Sequence, residues 1–92
     1  MTGSNGSITV AVIQVAYDDD ETGAARIARA SELVRAVAAP EQGPAPDLIV
    51  LPELWVATGF DYSKWEDAAE PIDGPFVGAM QALAAEVGVV LH

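Results

Sequence analysis

A chain of 92 residues, 51% hydrophobic and 20% charged, has room for one small domain and the composition of a folded rather than a disordered protein. Its formal net charge is −10, against four basic side chains, Arg26, Arg29, Arg35 and Lys64; this argues against nucleic acid and anionic membranes as partners, since both select cationic surfaces. With no cysteine there is no disulfide or thiolate metal site, and with no basic leader and no apolar run near the roughly 20 residues of a membrane span, the expected location is cytoplasmic.

Met1–Ser7 reads as a flexible tail, and residues 8–92 as one unit. Ile8–Ala16 (ITVAVIQVA) is the first expected strand, rich in β-branched residues and nearly continuous in apolar character. Such continuity predicts a parallel strand covered on both faces. Gln14 within it would then be a buried amide satisfied by a neighbouring backbone group. A helix is predicted over about 22–39, capped by Asp20 or Thr22, with the acidic run Asp18–Glu21 at the positive end of its dipole. Ile27, Ala30, Val34 and Val37 make its apolar stripe, and Arg26, Arg29, Glu32 and Arg35 fall mostly outside it.

Pro40 ends that helix and Gln42–Pro46 reads as a loop. Asp47–Leu51 (DLIVL) is the second strand. A second helix is predicted from Pro75, whose missing N–H is harmless in a first turn, to Glu86, with Phe76, Met80, Leu83, Ala84 and Val87 on one face and Gly88 as terminator. Val87–Leu91 is the third strand. The order is βαβαβ, an α/β class with parallel strands. A chain that ends on an uncovered strand reads as part of a larger domain.

The chemically informative stretch is Leu48-Ile49-Val50-Leu51-Pro52-Glu53-Leu54-Trp55. A buried strand ends, Pro52 stops the ladder, and a carboxylate follows at once. In open α/β sheets ligands bind beyond the carboxyl ends of the strands, where Glu53 falls. Trp55, Phe60, Tyr62 and Trp65 then supply aromatic walls for a pocket. On spacing alone, one Glu after a strand is more often a turn residue or a helix-cap partner than a catalyst.

The run DLIVLPELWVATGF resembles the first signature of the nitrilase superfamily of carbon–nitrogen hydrolases, in which a strand leads into Pro-Glu and a Gly-aromatic pair follows, here Gly59-Phe60. Gln14 in the opening strand is similar to that family's start. Ala69-Glu70-Pro71-Ile72-Asp73-Gly74-Pro75, followed by a helix and Gly88-Val89-Val90-Leu91, resembles a further passage of it. The resemblance spans residues 8–92. It implies a four-layer α-β-β-α sandwich, of which this chain supplies a βαβαβ N-terminal part, and an assembly that is homo-oligomeric at full length.

It also implies chemistry. The family hydrolyses small amides or nitriles with a Glu-Lys-Cys triad and without metal or organic cofactor. Glu53 matches the Glu, a general base for the cysteine and later for water; the Lys stabilises the oxyanion. Trp55 and Phe60 fall where a substrate border is expected. The chain departs from the pattern in having no Cys, and its single lysine, Lys64, stands too near the Glu to match the family's lysine, so it reads as a solvated loop residue among Asp61, Glu66 and Asp67. These 92 residues are therefore expected to be inactive alone.

Three other readings compete: a non-catalytic α/β module that binds a partner or small ligand, a split or degenerate hydrolase chain, and a small nucleotide binder. The nucleotide binder is disfavoured because Tyr17–Glu21 lacks the glycine fingerprint and repels phosphate. The acidic run has no spaced calcium-loop ligands, and the lone His92 supports no metal site. Tyr62 and Trp65 read as packing or interface residues.

Overall fold

The computed structural model describes residues 6–18, 20–53, 55–56 and 62–92, except for the side chains of Gln42 and Tyr62. Three strands, β1 (Val10–Val12), β2 (Leu48–Val50) and β3 (Val90–Leu91), form a parallel sheet in the order β1-β2-β3. Val10 pairs with Leu48, Val12 with Val50, and Ile49 with Leu91. Two long helices connect them, α1 (Gly23–Ala38) between β1 and β2 and α3 (Pro75–Val87) before β3; a four-residue helix, α2 (Trp65–Ala68), lies between. Single 3-10 turns at Pro40–Gln42 and Tyr62–Lys64 complete the described elements.

The expected βαβαβ order is therefore present, with shorter strands. Ile8–Ala16 was expected to be extended throughout, yet the ladder covers Val10–Val12, prolonged by Ile13 N–H donating to Val50 O at 2.9 Å. The register explains the stop. Continuing it sets Ile13 opposite Leu51 and Gln14 opposite Pro52, which has no N–H to offer. Gln14 is accordingly exposed and outside the strand, not the buried amide expected. Val87, expected to open the third strand, is the last residue of α3.

The core lies between one face of the sheet and the two long helices. Ile13, Ile49 and Val89 from the sheet meet Val34 of α1 and Leu83 of α3, with Met80, Val37 and Leu91 packed around them. Period-2 alternation sends Val10, Val12 and Val90 the other way, where they stand 44%, 67% and 65% exposed. The expectation of two covered faces thus holds for one face within this chain.

Local signals set the helix ends. Thr22 Oγ1 accepts from Ala25 N–H at 3.1 Å, so Thr22 rather than Asp20 caps α1. Gly88 ends α3 in the left-handed region (φ 69°, ψ 33°) and donates to Ala84 O. Pro71–Gly74 forms a tight turn in front of α3, and Glu70 Oε1 accepts from Phe76 N–H at 2.9 Å. A Cβ on Gly74 would lie 2.9 Å from that same Oε1 and 3.0 Å from the Pro71 carbonyl oxygen, so a side chain there would disturb the turn. No helix among the described residues is long and apolar enough to cross a membrane.

Candidate functional site

Glu53 occupies a turn immediately beyond the C-terminal end of β2, the middle strand, and its side chain is exposed. The approach to it is fixed by the sheet. Leu51 N–H donates to His92 O at 2.7 Å, and His92 N–H to Ile49 O at 2.9 Å. Pro52 then ends the pairing, as its ring requires. A carboxylate is thus presented at the strand end where an α/β sheet leaves room for a ligand.

Trp55 comes next. It is 7% exposed, with its ring stacked on Tyr17 (centroids 6.2 Å apart, 24° between planes) and edge-on to Phe76 at 5.4 Å. Its indole therefore packs the turn against the β1–α1 connection and the start of α3. Phe60, the other expected border residue, lies outside the described residues. Trp65 is half-buried in α2, and Lys64 is exposed at its start.

Beneath the turn lies a polar cluster. Arg26, on the first turn of α1, is 3% exposed, and its guanidinium donates to two main-chain carbonyls: Nη1 to Trp55 O at 3.2 Å and Nη2 to Asp18 O at 2.8 Å. The Tyr17 ring faces both Arg26 (5.4 Å from guanidinium to centroid) and Arg29 (4.6 Å). Arg29 also donates to Ala16 O and pairs with Glu21 at 3.3 Å. Burial pushes the Tyr17 phenol above its ordinary pKa; Arg29 pulls it down, Glu21 adds to the rise and Arg26 opposes it.

Helical periodicity assigns Arg26 to the polar flank of α1, and it is the residue that reading missed. Its burial comes from two loops closing over the first turn of the helix, which no periodicity within the helix reports. Of the aromatic residues after Glu53, Trp55 is the one whose carbonyl Arg26 holds.

A cleft of about 670 Å³ opens between the start of α1, α2 and the start of α3, lined by Ile27, Val56, Lys64, Ile72 and Phe76 among others. Glu53 is not in its lining, although Val56, three residues on, is. Asp20, Glu21, Asp67 and Glu70 also line it. Among the described residues no group of three His, Asp or Glu side chains is placed to hold a metal ion.

The family model for carbon–nitrogen hydrolases matches residues 9–92 of the chain. A 2-oxoglutaramate amidase of Paenarthrobacter nicotinovorans is 36% identical over 89 residues; the match covers 97% of this chain and 28% of the amidase, so the chain spans a little over a quarter of that relative's length. No solved structure matches it.

Proposed function

The chain belongs to the carbon–nitrogen hydrolase family of the nitrilase superfamily, and from that membership we propose that Glu53 is the general base of a site that hydrolyses a small amide. The observation that supports the reading is positional: Glu53 stands exposed in the turn beyond the middle strand of a parallel sheet, with the strand behind it and a packed tryptophan in front. The family match supplies the chemistry that this position alone leaves open.

In this reading Glu53 takes the proton of a cysteine thiol, and the thiolate attacks the amide carbon. The resulting oxyanion is stabilised by a lysine, and the protonated Glu53 returns the proton to the departing ammonia as the C–N bond breaks. Water, deprotonated by Glu53, then attacks the thioester carbon; the C–S bond breaks, the acid leaves, and Glu53 returns the proton to the departing cysteine thiolate. The lysine and cysteine belong to the remainder of the protein, and the 92 residues alone are inactive. No cofactor takes part. Trp55 and Phe60 form the apolar border, Trp55 on the strength of its buried ring two residues from the base, Phe60 on the family resemblance alone.

The relative's name directs the substrate to an amide carrying a 2-oxo acid, with other small amides and nitriles behind it. The bare apolar face of Val10, Val12 and Val90 is the inner face of a four-layer α-β-β-α sandwich, awaiting a second sheet. Residues 8–92 form part of that single domain behind a tail at 1–7, and the assembled protein is a cytoplasmic homo-oligomer.

The test is ammonia release from 2-oxoglutaramate by the whole natural protein and its Glu53→Gln variant. General-base function predicts a loss of about 10²–10⁴-fold in kcat. A Glu53→Gln variant that turns over at the parent rate overturns the assignment.

A further inference from the structure

The two flanks of Glu53 are held by different means. Upstream, the sheet holds Leu51 through the carbonyl of His92. Downstream, among the described residues, the carbonyl of Trp55 is held by the Arg26 guanidinium, whose other arm holds the carbonyl of Asp18. Arg26 thus ties the Glu53 turn to the β1–α1 connection across the first turn of α1. The two loops are 37 residues apart in sequence, by the numbers of Asp18 and Trp55.

Burying a guanidinium is unfavourable unless its N–H groups are satisfied, and at 3% exposure Arg26 is as buried as the core. Its planar fork suits this place. Two carbonyls from two directions need donors at fixed angles, which arginine has and the point charge of lysine lacks. Tyr17, which faces the guanidinium and stacks on Trp55, joins the cation and the turn into one packed unit.

We propose that Arg26 is a positioning residue for Glu53: its bond to the Trp55 carbonyl sets the turn that aims the carboxylate at the reacting atoms. This inference rests on the reading of Glu53 as the base. Proton transfer depends steeply on geometry, and displacement of a catalytic group by about 1 Å costs on the order of 100-fold in rate.

The test compares Arg26→Met, Arg26→Lys and Val34→Ala in the whole natural protein, with 2-oxoglutaramate as probe. Val34 is fully buried in the core about two turns further along the same helix, so its variant loosens α1 without removing the tether. Arg26→Met is expected to lose about 10–100-fold in kcat with KM nearly unchanged, Arg26→Lys to recover part of it, and Val34→Ala to keep kcat at an equal or greater loss of Tm. Hydrogen exchange at the Glu53, Trp55 and Val56 amides should quicken in Arg26→Met and not in Val34→Ala. The proposal is overturned if Arg26→Met keeps its kcat, or if Val34→Ala loses kcat in proportion to Tm as Arg26→Met does. Glu53→Gln, assayed alongside, separates the two ideas: full activity there overturns the role of Glu53 and the catalytic side of this proposal with it, whereas a dead Glu53→Gln beside an unimpaired Arg26→Met overturns the role of Arg26 alone.

Discussion

Arg35 and Glu86 clamp the two long helices together through a two-pronged ion pair, Nε to Oε2 at 2.7 Å and Nη2 to Oε1 at 3.1 Å. The fork-to-fork geometry gives direction as well as attraction, although both side chains are half exposed and open to screening by salt. The hydrogen bond to Arg35 lowers the pKa of Glu86, against some opposition from desolvation, and the same bond raises that of Arg35.

The pH dependence follows from the Glu86 shift. A carboxylate whose pKa is depressed by folding binds its proton more weakly in the native state, so its stabilisation is complete above the unfolded pKa and is lost as pH falls through the folded one. Glu86→Gln should therefore lower stability most at neutral pH, where the ionised pair is complete, and this deficit should vanish as pH falls through and below the usual carboxylate range, which flattens the variant's acid limb. Thermal melts across pH at low and high salt check this. A parent and variant with parallel acid limbs would show that the clamp has no part in acid stability.

Ile49 is the central residue of the central strand and is fully buried. Ile49→Val should cost about 0.5–1.5 kcal/mol and Ile49→Ala about 2–5 kcal/mol, the larger step leaving a cavity between sheet and helices. Urea unfolding measures both. Equal, small losses would mean that the site collapses around the deletion.

Gly88 closes α3 at φ 69°, where a side chain finds open space but a strained backbone. Gly88→Ala should destabilise by about 1–2 kcal/mol, and Gly88→Asn by less, because asparagine tolerates the left-handed region better. Chemical denaturation of the pair distinguishes backbone strain from crowding: an alanine as mild as the asparagine would remove strain as the cause.

Tyr17 presents a buried hydroxyl with no hydrogen-bond partner among the described residues, while its ring serves Trp55, Arg26 and Arg29. Tyr17→Phe keeps the ring and removes the unsatisfied group, so stability should hold or rise by up to about 1 kcal/mol. A loss of that size instead would reveal a partner for the hydroxyl elsewhere in the protein.

The parts of this fold that were legible in the sequence are those written in local pattern. The β-branched run around Ile49, the stripe through Ala30 and Val34, Pro75 at a helix start and Gly88 at a helix end each carry their own signal, and each element stands within a residue or two of its expected bounds at α1, β2 and α3. Strand length was not legible, because a ladder ends where its partner ends: Gln14 lost its strand to Pro52, 38 residues away. The same non-locality hid Arg26, whose partners sit on two loops, and the bond by which Glu70 holds the first turn of α3. The position of Glu53 was legible because it depends only on where β2 stops. The site's support was not, because it depends on what folds over it.

Parallel pairing has a consequence for the order of events during synthesis. Val10 cannot find Leu48 until the whole of α1 and the loop after it have been made, and Leu48 in turn waits for Val90. At about 5–20 residues per second, the first strand emerges and stays unpaired for about 2–8 s before its neighbour exists. Through that interval Val10, Val12 and Ile13 are an exposed β-prone segment, followed in the chain by the acidic run Asp18–Glu21, whose like charges repel one another.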